Sequence, residues 1–153
     1  MAPLRNEIMN NITVAIAADH AGYRLKEELK KYVGDLGYEL LDCGTNSQES
    51  VDYPDFGKAV AESIIAGRAN RGVLICGTGI GISISANRHQ GIRAAVCHDM
   101  TTARYAREHN DANIIALGSR IIGTSVAKDC LHIFLSTPFE NTERHLKRIT
   151  KLD

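Results

Sequence analysis

Val73-Leu74-Ile75-Cys76-Gly77-Thr78-Gly79-Ile80-Gly81-Ile82 carries an apolar run into a glycine-rich turn and then towards a new helix. Residues 72–76 predict a buried strand ending at the Cys76 thiol, and residues 81–87, rich in Ser, Ala and Ile, predict a short helix. Gly77, Gly79 and Gly81 are free to take positive φ and to let a ligand approach the backbone closely. Several free N–H groups at the helix start then converge beside the sulfur, where they favour a thiolate and an oxyanion formed next to it. Taken alone, the same stretch also fits a small buried cysteine followed by a tight turn.

Outward from this stretch, strand and helix patterns alternate to both ends of the chain. Residues 12–18 form a β-prone run that stops at Asp19-His20, and residues 22–36 follow with Leu25, Leu29, Tyr32, Val33 and Leu36 at helical spacing. Gly37 ends that helix and residues 38–42 make a second strand. A polar loop over 46–53 leads to a helix over 54–65. After the central unit come a strand over 92–97, a helix over 101–109, a strand over 113–117 and an amphipathic helix over 124–135. Pro138 then breaks the chain before a basic helix over 140–152. Such alternation predicts right-handed βαβ units and a mostly parallel sheet covered on both faces. Ligands of such sheets sit beyond the carboxyl ends of the strands. Asp19-His20, Asp42-Cys43, Cys76-Gly77 and Cys97-His98-Asp99 all fall there, so they are expected to share one edge.

With 153 residues the chain suits one domain with a real core, expected over 12–153 after an N-terminal extension over 1–11. Lys plus Arg and Asp plus Glu number 18 each, so bulk charge points to neither a nucleic acid nor a membrane surface. No apolar run approaches the roughly 20 residues of a membrane span. Four scattered cysteines without a Cys-x-x-Cys pair, and no secretion signal, fit free thiols in a reducing cytosol.

Several polar groups are candidates for chemistry. Asp19 and His20 at a strand tip suit proton handling between hydroxyls, or phosphate binding through His20; equally, Asp19 suits a helix cap. In Glu108-His109-Asn110-Asp111-Ala112-Asn113, His109 sits at the negative end of a helix dipole, while a plain connection with Asn110 or Asn113 in the left-handed region explains the same residues. Arg120 follows a strand end at Gly118-Ser119, and Arg144 and Arg148 share one face of the last helix at i, i+4. Guanidinium groups so arranged suit a phosphate dianion, or simply a solvated basic face. His98-Asp99 fits a helix cap, and Tyr53 before Pro54 is placed to line a pocket. The terminal helix after Pro138 is also placed to cross a subunit boundary.

Together these pieces resemble the B-type ribose-5-phosphate isomerases, in the family that also holds the galactose-6-phosphate isomerase subunits. The matching motifs run in order: Ala18-Asp19-His20-Ala21-Gly22, Asp42-Cys43-Gly44-Thr45, Asp52-Tyr53-Pro54 and Cys76-Gly77-Thr78-Gly79-Ile80-Gly81. Gly91-Ile92-Arg93-Ala94, the 108–113 segment, Gly118-Ser119-Arg120 and Arg144-His145 complete the set, which spans about Asn11 to Lys151. The resemblance implies an open, Rossmann-like αβα sandwich around a five-stranded parallel sheet. It also implies a homodimer or dimer of dimers with active sites at the subunit interface, the C-terminal helix reaching the partner, and no metal or organic cofactor. Carried over by motif, Cys76 is the base that moves a proton between C2 and C1 of an open-chain sugar phosphate. Thr78 and the backbone of Gly77, Gly79 and Gly81 hold the enediolate oxygens. Asp19 and His109 assist ring opening, with Asn110 on the sugar hydroxyls, and His20, Arg120, Arg144 and Arg148 hold the phosphate. One branch of the family replaces this Cys with a Glu at the position of Ile82; this chain resembles the cysteine type.

Ribose 5-phosphate and ribulose 5-phosphate are therefore the expected pair, with allose 6-phosphate or galactose 6-phosphate as longer alternatives. A nucleotide-binding module built on Gly77, Gly79 and Gly81 is a further alternative. Asp99 lies about where a ribose-binding acid belongs, but Ile82 occupies the neighbourhood of the third glycine of that fingerprint.

Overall fold

The computed structural model describes residues 11–153. Of the expected extension over 1–11, all but Asn11 lies outside the described residues. Five strands alternate with six helices: β1 (Thr13–Ala18), α1 (Tyr23–Asp35), β2 (Glu39–Asp42), α2 (Tyr53–Ile65), β3 (Arg71–Cys76), α3 (Ile80–Asn87), β4 (Ala94–Val96), α4 (Met100–Asn110), β5 (Ile114–Gly118), α5 (Thr124–Ser136) and α6 (Glu143–Thr150). The strands form one sheet in the order β2-β1-β3-β5-β4, and every pairing is parallel. The architecture is an α/β three-layer sandwich: the doubly covered parallel sheet is what the alternation predicts, and the five-stranded, Rossmann-like topology is what the resemblance implies, closed by a C-terminal helix.

Why the middle strands read as unbroken apolar runs is plain from their burial. β1, β3 and β5 are covered on both faces, so neither side of the pleat faces water. On one face Ile16, Ile75 and Leu117 pack against Leu29 of α1 and Leu131 and Phe134 of α5. On the other, Ala15, Ala17 and Ala116 leave room for α2 and α3 to approach. Gly72 marks the closest approach, since a Cβ there would lie 2.6 Å from Val60. The order reverses between β1 and β3, which opens a crevice beyond their carboxyl ends at Ala18-Asp19 and Cys76-Gly77.

Boundaries shift where side chains replace ladder bonds. β4 is shorter than the expected 92–97 because Asn87 pins both backbone groups of Ala94 and Asn113 takes the Arg93 N–H. The last helix starts at Glu143, later than expected, after Asn141 turns with φ +38°. Left-handed backbone after α4 falls on Asp111 (φ +44°) and on neither Asn110 nor Asn113. Arg107 holds the Asp111 carboxylate at 2.8 Å, and Asn113 spends its amide on Arg93 and Gly91. None of the described helices is long and apolar enough to cross a membrane.

An ion cluster clamps the edge strand. The fully buried Lys26 ammonium bonds both oxygens of Asp42 at 2.8 and 3.0 Å, and Lys30 adds a contact at 2.8 Å. Asp42 Oδ1 also accepts the Gly44 N–H, which fixes the turn after β2. Burial opposes the Asp42 charge, but the hydrogen bonds from Lys26, Lys30 and Gly44 outweigh it and hold the carboxyl below its usual range. Asp42→Asn should cost about 2–4 kcal/mol at pH 7, because it leaves the Lys26 ammonium buried with only Glu27 nearby. The carboxylate's contribution is full above its unfolded pKa of about 3.9 and is lost as pH falls through the depressed native value. Urea unfolding curves of parent and variant should therefore converge as pH falls through that depressed native value.

Candidate active site

At the carboxyl edge of the sheet, Cys76 ends β3 and is 4 % exposed. Its sulfur receives the N–H of Gly79 at 3.1 Å, one of the several backbone donors expected there. Gly79 adopts φ +77°, and a Cβ there would lie 3.0 Å from the Leu117 backbone, so conformation and space both demand glycine. Thr78 is exposed, and its Oγ1 accepts the Ile80 N–H at 3.2 Å.

The other two glycines serve a purpose the sequence reading missed. A Cβ at Gly77 would lie 3.2 Å from a guanidinium nitrogen of Arg120, and one at Gly81 would lie 2.7 Å from the Tyr53 ring. The close approach expected of a ligand is thus made by the protein's own Arg120 and Tyr53, brought from β5 and α2. Both side chains are exposed while resting on these glycines. The β5 turn is tied to the β3 turn by two backbone bonds, Ser119 N–H to the Cys76 carbonyl at 2.9 Å and Arg120 N–H to the Gly77 carbonyl at 3.0 Å. Ser119, which sequence reading did not single out, also donates its hydroxyl to the Ala21 carbonyl.

Asp19 and His20 lie beside this crevice at the end of β1. Asp19 is buried; its N–H donates to the Ile75 carbonyl and its Oδ1 accepts the Gly22 N–H at 3.1 Å, so the carboxylate closes the turn ahead of α1, while the expected helix cap is not made: the N-cap is Gly22, with no side-chain cap. His20 accepts the Val51 N–H on Nδ1, which leaves the ring proton on Nε2.

His109, Asn110, Arg144 and Arg148 are elsewhere. Helix α4 starts at the carboxyl edge and runs back against the strands, so His109 and Asn110 emerge where β5 begins. A strand's length, about 15 Å, separates them from Cys76 of the same chain. Helix α6 is anchored there through Glu140 N–H to the Glu108 carbonyl. The His109 ring is sandwiched between Tyr105 (centroids 4.7 Å) and His145 (4.6 Å), while Arg144 and Arg148 are exposed. An open groove of about 670 Å³ includes Arg93, Asn110 and Leu152 in its lining. A second, of about 380 Å³, runs past Tyr53, Gly81 and Ser85. Arg88 and His89 line both, and Cys76 lines neither.

Among the described residues, His109, Glu140 and His145 could hold a cation, with ligand atoms within 4.8 Å of one another. The two imidazoles, however, stack at 18°, so their in-plane lone pairs do not converge on one ion. His145 Nε2 instead faces Glu140 Oε2 at 3.4 Å. Burial pushes the Cys97 and Cys130 thiols up to about 11, and Cys43 sits half-buried with its sulfur 3.7 Å from Ser63 Oγ.

A family profile described as Ribose/Galactose Isomerase matches residues 14–152. The chain is similar to the solved structure of a ribose 5-phosphate isomerase from Thermotoga maritima, with 51 % identity, TM-score 0.91 and coverage of 94 % of this chain and 98 % of that one. Likeness to ribose-5-phosphate isomerase B of Clostridium thermocellum is 50 % in sequence and 0.91 in TM-score, covering 92 % and 95 %. Ribose-5-phosphate isomerase B of Escherichia coli is 42 % identical over 89 % of this chain and 91 % of its own.

Gly79→Ala should destabilise the fold by more than the 1–2 kcal/mol of a left-handed alanine alone, since Leu117 blocks the methyl group. Gly91→Ala (φ +81°, with nothing within 4 Å of its Cβ) should show only the conformational cost. Thermal unfolding of the pair separates strain from collision.

Proposed function

The chain belongs to the ribose/galactose isomerase family, and we propose that it interconverts ribose 5-phosphate and ribulose 5-phosphate through an enediolate. The carrying observation is the thiol at the topological switch point, with a backbone N–H on its sulfur and Arg120 resting on the next residue. Cys76 removes the hydrogen on C2 of the open-chain aldose, and the electron pair forms the C1–C2 double bond as charge moves onto O1. The same hydrogen returns to C1 while a hydroxyl proton passes from O2 to O1, so the sugar leaves as ketose with no net loss of atoms. Thr78 and the amides of Gly77 and Gly81 supply donors for O1 and O2, the Gly79 amide being held on the sulfur; preorganised donors of this kind are worth about 3–4 kcal/mol each in related oxyanion sites. Asp19 and His109 open the furanose ring, Asn110 and Tyr53 bind the sugar, and His20, Arg120, Arg144 and Arg148 hold the phosphate. Anchoring the phosphate away from the reacting carbons gives binding energy that positions C1 and C2 against the sulfur.

The separation of His109 from Cys76 within one chain supports a site shared between two copies. One copy offers Cys76, the glycine turn, Asp19, His20 and Arg120; the other offers His109, Asn110, Arg144 and Arg148 from its opposite edge. Under this reading the protein is a homodimer or dimer of dimers, α6 faces the partner, and closing the interface completes the cavity over Cys76. The family description names both a pentose and a hexose, so allose 6-phosphate and galactose 6-phosphate are the substrates to compare.

With EDTA present, ribose 5-phosphate should give the highest kcat/KM in a panel of pentose and hexose phosphates. Cys76→Ala should abolish turnover with an unchanged melting temperature, and Arg148→Ala should raise KM. Mixing Cys76→Ala with His109→Ala subunits after denaturation should restore about a quarter of parental activity, because half the dimers are mixed and each holds one intact site. Failure of such mixtures to recover activity, with mixed dimers verified by mass, refutes the shared site.

A further inference from the structure

His98 stands just beyond β4, where the edge strand stops pairing. The last rung is the Cys97 N–H to the Ala116 carbonyl at 3.2 Å. In a continued parallel ladder the next donor, Gly118 N–H, would meet a β4 carbonyl. It instead donates to His98 Nε2 at 3.0 Å. The neighbouring Asp99 caps α4 by accepting the Thr102 N–H at 2.7 Å, so the cap expected of His98-Asp99 belongs to Asp99 alone.

Gly118 is where the β5 turn begins. Its carbonyl accepts the N–H groups of Ile121 and Ile122, closing the turn on itself. A Cβ at Gly118 would lie 2.7 Å from the Thr78 backbone, so the turn is wedged against the loop that follows Cys76. The next two residues bond the Cys76 and Gly77 carbonyls, and Arg120 then lies over Gly77. The imidazole thus ends a path by which the sheet edge helps fix where the Arg120 guanidinium starts.

We propose that His98 is a positioning residue for the phosphate side of the active site, acting as the neutral acceptor that holds Gly118 and thereby Arg120 in place. The proposal rests on the reading of Arg120 as a phosphate ligand. An apolar side chain at 98 leaves the buried Gly118 N–H without a partner, so the turn must move to find one. Gln offers an amide oxygen at a reach similar to that of Nε2 and keeps the bond.

The test compares His98→Leu, His98→Gln and Arg120→Ala at a temperature where each is folded by circular dichroism, with ribose 5-phosphate as substrate and inorganic phosphate as competitor. His98→Leu should raise KM and the inhibition constant of phosphate about tenfold, with kcat within about threefold, and His98→Gln should recover both constants. A side chain that only stabilises the fold would lower the melting temperature and leave both constants alone. That outcome, with Arg120→Ala raising them, overturns the role of His98. Unchanged constants in Arg120→Ala overturn the phosphate assignment of Arg120 and this proposal with it. An independent readout needs no variant: long-range proton–nitrogen NMR of the parent should show His98 as the Nδ1–H tautomer, and an Nε2–H tautomer refutes the bond.

Discussion

Two backbone hydrogen bonds between the turns after β3 and β5 fix the geometry of everything at the carboxyl edge. The Cys76 and Gly77 carbonyls are each held by an amide of the Ser119-Arg120 segment, so neither turn is free to move alone. Because the bonds are made by the backbone, they constrain the residues at 77, 79 and 118 through lack of space rather than through side-chain chemistry. The thiol can then meet the Gly79 amide and Arg120 can lie over Gly77, while the His98 imidazole and the Ser119 hydroxyl hold the second turn from its other side. Interior backbone groups demand partners, and here the demand is met by joining two turns that both carry proposed site residues.

This constraint explains why the sequence reads well in some places and poorly in others. Strands such as β1 and β3 are legible because burial on both faces leaves an apolar run with sharp polar ends. The carboxyl-edge position of Asp19, Cys76 and Arg120 follows from alternation and the parallel sheet alone. Glycine is harder to read: a glycine admits a close neighbour but does not say which one. At 77 and 81 the neighbours are Arg120 and Tyr53, more than 25 residues away in either direction, and no local pattern announces them. Asp111 shows the same limit. Asn is the ordinary choice for left-handed backbone, yet the pairing of Asp111 with Arg107, one helical turn earlier, selects the aspartate.

The ion cluster at Lys26 is a third case. Its lysine falls within a helix full of Lys and Glu and carries no mark in the sequence that separates it from Lys30 or Lys31. Only the tertiary position of Asp42, at the end of the edge strand, makes one of these ammonium groups an interior residue. Buried ion pairs of this kind gain little net stability over an apolar replacement, but they fix register strongly because a mismatched charge is so costly. Here the fixed object is the turn from Asp42 to Thr45, whose Gly44 carbonyl receives the Ala18 N–H directly before Asp19. The clamp therefore reaches the crevice through backbone, as the bonds between the β3 and β5 turns do.

Helix direction settles the last part of the argument. In a parallel α/β sheet every connecting helix runs opposite to the strands, so residues near a helix C-terminus are carried to the edge away from the strand carboxyl ends. His109 and Asn110 sit on such a terminus, and α6 is fastened beside them by the Glu140–Glu108 contact and the His109–His145 stack. No loop rearrangement short of unfolding α4 carries His109 around the sheet to Cys76. On the proposed reading, chemistry that uses both residues takes them from different copies, and the two exposed arginines of α6 travel with His109. The low exposure of Cys76 within one chain accords with the proposed role: a base that is to work on a carbon acid gains from being kept out of water until a substrate is enclosed with it.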